Sequence, residues 1–268
     1  MKRFIFLFSL CAILALQMTS CGKGMLAKKK AEEARLKMEA EKRAEEKQLN
    51  DDVLSILDFK GKNIAVPELA GTSWIYDRYT IYFEVNNNGV RFTSDYAEYT
   101  MEGNKIIFDF SRIISIYEKW TLDHDVRRMY ILFKREIAAA KEELKSPSLT
   151  PERKTELQGL IKENERALPY YVSADSLISS EFEYLKKQRG SASTPTDEEL
   201  KKKAYENVEN NFKPDVRRKI GAALRTINPV KGVLSSTKDK ITIEKILKGL
   251  KEDGMPVYLE NVEFVKKD

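Results

Sequence analysis

The spacing of apolar positions changes several times along this chain, and each change marks an element. Phe4 to Leu16 is an apolar run, FIFLFSLCAILAL, broken only by Ser9 and preceded by Lys2 and Arg3. It falls short of the roughly 20 apolar residues that a bilayer span needs. Residues 27–48 then read AKKKAEEARLKMEAEKRAEEKQ, with no glycine, proline or β-branched residue. Nearly all are strong helix formers. Opposite charges recur four apart, at Lys28–Glu32, Lys29–Glu33, Glu33–Lys37, Arg35–Glu39, Lys37–Glu41 and Glu39–Arg43, the spacing that supports a solvated helix. Leu36 and Met38 form no a/d seam, so the pattern gives a coiled coil little support. The expected element is a single helix spanning roughly 33 Å. Apolar Val53, Leu54, Ile56, Leu57 and Phe59 extend it toward a body, and Gly61 is its expected stop.

From Gly71 the period becomes two. Gly71 to Tyr76 reads as a first strand, and Tyr79, Ile81, Phe83 and Val85 alternate with Thr80, Tyr82 and Glu84. Asn86-Asn87-Asn88-Gly89 is a turn whose residue types tolerate positive φ. Val90–Tyr96, Ala97–Met101 and Lys105–Phe110 complete a meander of about five strands.

Helical spacing follows. Leu122, Val126, Met129, Phe133, Ile137, Ala140 and Leu144 share one face of a long helix. Thr150 before Pro151, Ser173, and Thr196 with Glu199 are N-terminal signatures for three further helices, and Pro214 opens a fifth. Strand composition returns at Lys231–Ser235, Lys240–Ile246 and Val257–Val265. Five strands and three strands sum to eight, enough to close a small barrel and remove its edges. The expected fold class is α+β: an antiparallel meander or small barrel interrupted by a helical insertion and preceded by a charged helical stalk. The rival arrangement is a meander beside a separate helical domain, with the last strands in a sheet of their own.

The N-terminus resembles a bacterial lipoprotein signal. A basic start, a short apolar run and Met18-Thr19-Ser20-Cys21-Gly22 resemble a lipobox, with Met18 in place of the usual leucine. The resemblance implies a signal peptide over 1–20, cleavage before Cys21, and acyl chains on Cys21 that hold the protein to a membrane of the bacterial envelope. Glycine rather than aspartate after the cysteine points to the outer membrane. Cys11 would leave with the signal, so no disulfide or cysteine metal site is expected. The expected organisation is a signal over 1–20, a lipidated tether over 21–60, a meander over 61–112, a helical insertion over 113–228 and closing strands over 229–268.

A second resemblance covers residues 69–110. Leu69-Ala70-Gly71-Thr72-Ser73-Trp74, then Tyr79 to Phe83 before a glycine turn, resembles the opening of bacterial lipocalin-like domains, with an extra Ser73 and with a helical block foreign to that family. It implies a barrel with a cup for a small apolar ligand, lined by Trp74, Tyr76, Tyr79, Phe83 and Phe92. Core packing and cross-strand pairing are the other use for these aromatics.

Charge and motifs narrow the function. The 47 basic residues fall to 45 once Lys2 and Arg3 are set aside, against 42 acidic ones. That balance does not suit a nucleic-acid partner. Asp123-His124-Asp125 holds the only histidine, and the expectation there is a helix start facing solvent. Ser235-x-x-Lys238 lies at a strand end and reads as a turn. No phosphate loop, dinucleotide fingerprint, nucleophile elbow or zinc motif occurs. No catalytic residue, metal ligand or cofactor is nominated. The expected function is a membrane-anchored, non-catalytic module binding a small apolar ligand. The alternative is a scaffold docking an envelope protein through the insertion, where Tyr130, Ile131 and Leu132 widen the apolar face of the long helix. An envelope enzyme ranks third.

Overall fold

The structure, a computed structural model, describes residues 2–93, 95–191 and 194–267, with side chains from residue 29 onward. The chain divides into two compact units, Met1–Leu49 and Asn50–Asp268. Helix α1 (Lys2–Leu57) begins in the first. Its side chains are exposed from residue 29 to residue 48, so this stretch has no buried face. Two of the expected i,i+4 pairs close, Arg35–Glu39 at 3.7 Å and Lys37–Glu41 at 3.9 Å. The expected signal and Cys21 lie where side chains are outside the described ones. Among the described residues, no helix is long and apolar enough to cross a membrane.

In the second unit, eight antiparallel strands form a closed barrel in sequence order. They are β1 (Ser73–Tyr76), β2 (Tyr79–Phe83), β3 (Gly89–Phe92), β4 (Asp95–Glu102), β5 (Lys105–Asp109), β6 (Val230–Leu234), β7 (Lys240–Leu250) and β8 (Pro256–Lys267). The period of two sends Ile81 and Phe83, Ile106 and Phe108, Ile241 and Ile243 to one inner face, all fully buried. The last strand seals against the first, from Ser73 opposite Lys267 to Ile75 opposite Val265. The two sequence halves meet where Lys105 stands opposite Val233 and Phe108 opposite Val230. One interrupted sheet is therefore the architecture, and the C-terminal strands form no sheet of their own.

The helices between β5 and β6 are α2 (Ser111–Tyr117), α3 (Leu122–Glu143), α4 (Pro151–Ala167), α5 (Ala174–Arg189), α6 (Asp197–Phe212) and α7 (Pro214–Arg225), with a 3₁₀ turn at Leu168–Tyr171. Their starts follow their sequence signatures. Thr150 accepts a hydrogen bond from Arg153 N, Ser173 from Ser176 N, and Thr196 with Glu199 forms a reciprocal capping box. Helix α2 had no expected counterpart. It is only seven residues long, and its apolar side chains point into the barrel core, so no amphipathic repeat marks it. The neck of the insertion is stitched by Asn228. Its side chain accepts from Phe110 N at 2.8 Å and donates to Asp109 Oδ1 at 3.1 Å and Ser111 Oγ at 3.0 Å.

Three local expectations are corrected. Helix α1 ends at Leu57, and Gly61 instead lets two loops touch. A Cβ on Gly61 would lie 2.2 Å from Gly89 N. The turn expected at 86–89 forms between β2 and β3, but its asparagines adopt no positive φ. Asn87 accepts from Gly61 N, and buried Asn88 accepts from Asn63 N at 2.8 Å and donates to Tyr99 O at 3.3 Å. Their amides secure the 60–66 segment, and Val85 falls outside β2, exposed. Finally, the expected strand from Val90 to Tyr96 is broken, because the chain turns at Thr93, with φ of 49°.

Candidate ligand cavity at the barrel mouth

The barrel interior is filled by side chains. Phe83 meets Tyr99 edge-on at 4.8 Å and Phe108 at 6.1 Å, and Phe92 meets Phe108 at 4.9 Å. Trp74 and Phe83 are sealed in this core, with Trp74 Nε1 donating to Thr72 Oγ1 at 2.8 Å. Tyr76 is exposed at the rim. The expected cup inside the strands is thus occupied by the aromatics expected to line it. An eight-stranded barrel is just wide enough for side chains to fill, and these are large.

A cavity of about 130 Å³ lies instead at one mouth of the barrel. Its apolar wall is Tyr79, Phe92, Phe110 and Phe264 from the barrel side and Ile220 and Leu224 from α7. Of the five expected lining residues, Tyr79 and Phe92 are brought here. Phe92 is the hinge of the wall: it meets Phe110 at 5.5 Å and Phe264 at 6.4 Å, both steeply inclined. The cavity's polar lining includes Thr93, Asp95 and Lys248.

The mouth is shaped by three devices. Strands β7 and β8 run on past the barrel to Leu250 opposite Pro256, with a bulge between Leu247 and Gly249 beside the cavity. Tyr258, on that overhang, donates to Ala223 O at 3.1 Å, which fastens it to α7. Helix α7 lies close on α2, because Gly221 leaves no side chain there; a Cβ would stand 2.8 Å from Tyr117 Cβ. Ile220 and Leu224 stand one helical turn apart in the sequence, but nothing local to them says that they cover a barrel end.

Asp95 is tied into the body behind the cavity. Tyr117 Oη donates to Asp95 Oδ1 at 2.9 Å, and Arg217 Nη1 donates to Tyr117 Oη at 3.2 Å. Burial pushes the Asp95 carboxyl above the usual carboxylate range, while the Tyr117 bond and the Arg217 charge pull it back down. Burial, with the neighbouring Asp95 charge, drives the Tyr117 phenol well above its ordinary value, so it stays a donor.

The Asp123-His124-Asp125 run does not all face solvent as expected. His124 and Asp125 are buried, and Asp123 caps α5 by accepting from Ala174 N at 2.8 Å. His124 stacks on Trp120 at 4.8 Å and its Nδ1 accepts from Thr121 N at 3.1 Å. Its Nε2 lies 3.5 Å from Asp52 Oδ2, on the last turns of α1. Burial holds this imidazole below its ordinary value, with Asp52 acting against it. These contacts account for Thr121 and His124 as a helix cap. Among the described residues, no group of three His, Cys, Asp or Glu side chains is placed to hold a metal ion. Ser235 and Lys238 lie in the exposed β6–β7 turn, where Ser235 Oγ donates to Asp239 Oδ1 at 2.8 Å.

Tyr130, Ile131 and Leu132 on α3 are all half-buried. Ile131 packs against the main core, and Tyr130 lies under Arg127 and Lys134 at 5.1 and 5.5 Å. The widened face of α3 is therefore turned, at Ile131, toward the protein itself.

No protein-family model, curated protein or solved structure matches this chain.

Proposed function

We propose that this chain is a lipid-anchored protein of the bacterial envelope whose barrel carries a lipocalin-like binding role, moved from the barrel interior to its mouth. The observation that carries the reading is the apolar cavity of about 130 Å³ between Phe92, Phe264 and α7. An engineered apolar cavity of about 150 Å³ stays dry and takes benzene. The ligand is therefore a small one: a single ring, or a short branched hydrocarbon. It binds by burying apolar surface, and no chemical step is assigned to the site.

The anchoring half of the reading rests on the lipobox-like junction at Cys21. Wild-type protein should incorporate a fatty-acid probe in cells, and Cys21→Ala should not; equal labelling would remove the anchor. The binding half is tested by methyl NMR on the body. Benzene should shift the Ile220 and Leu224 methyls in wild type. Ile220→Trp, which fills the cavity, should abolish the Leu224 shift without lowering the melting temperature. If benzene shifts neither methyl in wild type, the cavity is not a binding site.

A scaffold role for the insertion keeps one supporting observation. Tyr184 and Tyr205 are exposed on its helices and Tyr170 on its 3₁₀ turn, whereas Ile131 is not available. The relevant surface for a partner would be those tyrosines rather than the α3 face.

A further inference from the structure

The cavity has a chemical direction. Most of its lining is hydrocarbon, and Thr93, Asp95 and Lys248 are the polar residues among it. Asp95 does not spend all its acceptor capacity inside the protein. Oδ1 takes the Tyr117 hydroxyl, but Oδ2 accepts no hydrogen bond among the described residues. Nor is Oδ2 sealed away from solvent-sized space without a partner. A carboxylate has about four lone-pair sites, so a second donor is readily taken.

The neighbouring polar groups point the same way. The Lys248 carbonyl faces the Tyr79 hydroxyl at 3.5 Å, at the edge of hydrogen-bonding reach. Arg217, the cation nearest in the chain of contacts, is used on the far side through Tyr117 Oη. Lys248 itself is exposed at the surface. The inner polar surface thus joins two acceptors, Asp95 Oδ2 and the Lys248 carbonyl, to the Tyr79 and Thr93 hydroxyls, at the edge of a hydrocarbon pocket.

Building on the cavity as a binding site, we propose that its ligand is a small apolar molecule ending in a hydrogen-bond donor, a hydroxyl or an ammonium, that Asp95 Oδ2 accepts. Molecules ending in a carboxylate are rejected. A fatty acid entering head first would place like charges together beside Asp95. Discrimination by one charge-assisted hydrogen bond is worth about ten- to a hundredfold in affinity. Held by Tyr117, the carboxyl does not have to be ordered when the ligand arrives, which favours binding.

The test uses the same ring with four heads: benzene, phenol, benzylamine and benzoate, titrated against the body's methyl resonances at neutral pH. Phenol or benzylamine should bind at least about tenfold tighter than benzene, and benzoate weaker than benzene. Asp95→Asn is nearly isosteric and keeps an oxygen for Tyr117, but turns an amide donor toward the cavity. In that variant the donor preference should vanish and benzoate should gain. If all four bind wild type alike, or benzoate binds best, the head preference is wrong while the cavity stands. If none binds, the cavity reading itself fails and takes this inference with it. A normal near-ultraviolet spectrum for Asp95→Asn separates lost selectivity from lost folding, and the wild-type series decides without it.

Discussion

The barrel and the helical insertion are built on opposite terms. The barrel holds one continuous core, from Trp74 through Phe83, Tyr99 and Phe108 to Phe264, and α2, α7 and the end of α1 add to it. The insertion's own buried cluster is small, Leu122, Val126, Ala174 and Val208, with Tyr171, Leu177, Ile178 and Phe212 packed at their edges, and its other buried residues, such as Ile137, Leu157 and Ala204, stand outside that cluster. Aromatics of the barrel interlock at ring distances of 4.8 to 6.4 Å. The insertion relies more on caps and surface pairs, such as Lys141–Glu165 at 2.7 Å and Arg153–Glu143 at 2.8 Å. Exposed pairs of this kind contribute about 0–1 kcal/mol each. Stability is therefore concentrated in the barrel, and the insertion is the part able to open locally while the barrel stays closed.

The largest effect that this contrast predicts is at Phe83. It is fully buried and touches two other rings. Phe83→Ala should cost about 3–5 kcal/mol, enough to unfold much of the protein at room temperature. Denaturant melts followed by circular dichroism should show it. A loss below about 1 kcal/mol would mean that the barrel core is not the dominant source of stability.

Next comes the joint between the two regions. Gly221→Val places a side chain where even a Cβ meets Tyr117 at 2.8 Å. Overpacking of this sort costs about 1–3 kcal/mol. Because α7 must back away from α2, the cavity wall of Ile220 and Leu224 should move with it. The expected outcome is a folded barrel with weakened benzene binding; unchanged binding would detach α7 from the cavity.

Much of this division was legible in the residues and some was not. Period two and period 3.6 separate the strands from the insertion, and Thr150, Ser173 and Thr196 mark helix starts because capping is local chemistry. Eight strands allow a barrel to close, but only the pairing of β6 with β5 and of β8 with β1 decides against a separate C-terminal sheet. The cavity was only half legible. Tyr79 and Phe92 stand in an aromatic-rich meander, but Phe110, Phe264 and Asp95 join them through pairing across the closed sheet, and α7 through a glycine contact a hundred residues from its partner. His124 misled for the same reason: its acidic neighbours suit an exposed helix start, but Asp52 and Trp120 cover it from elsewhere in the chain.

A smaller effect should appear with pH at that histidine. His124 is held below its ordinary value, so between its folded and unfolded values the unfolded chain binds the extra proton. Stability should be full above about pH 6.5 and fall as the pH drops below it. Asp125, raised by burial, acts in the other direction, with its contribution present at low pH and lost as pH rises through its folded value. The Asp125 window runs upward from about 3.9, the ordinary aspartate value, and the His124 window downward from about 6.5. His124→Gln should flatten the limb just below pH 6.5 and leave the acid limb. A wild-type melting temperature that rises on acidification from pH 7 to 6 would reverse the assignment.

The smallest effect isolates the insertion from the barrel. Thr196 Oγ1 accepts from Glu199 N at 3.3 Å, and Glu199 Oε2 accepts from Thr196 N at 2.7 Å. The Glu199 carboxyl is lowered by the Thr196 backbone bond first and the Thr196 hydroxyl second. Thr196→Ala removes the hydroxyl and one orphan amide's partner at the start of α6, a loss of about 1 kcal/mol. If the insertion opens locally, that loss appears as faster amide exchange in α6 and in its neighbour α5. Amides of β2, β5 and β7 should keep their wild-type protection, because their exchange requires the barrel to open. Equal acceleration in strands and helices would show one cooperative unit instead, in which the thin core around Val126 and Val208 shares the stability of the barrel rather than standing apart from it.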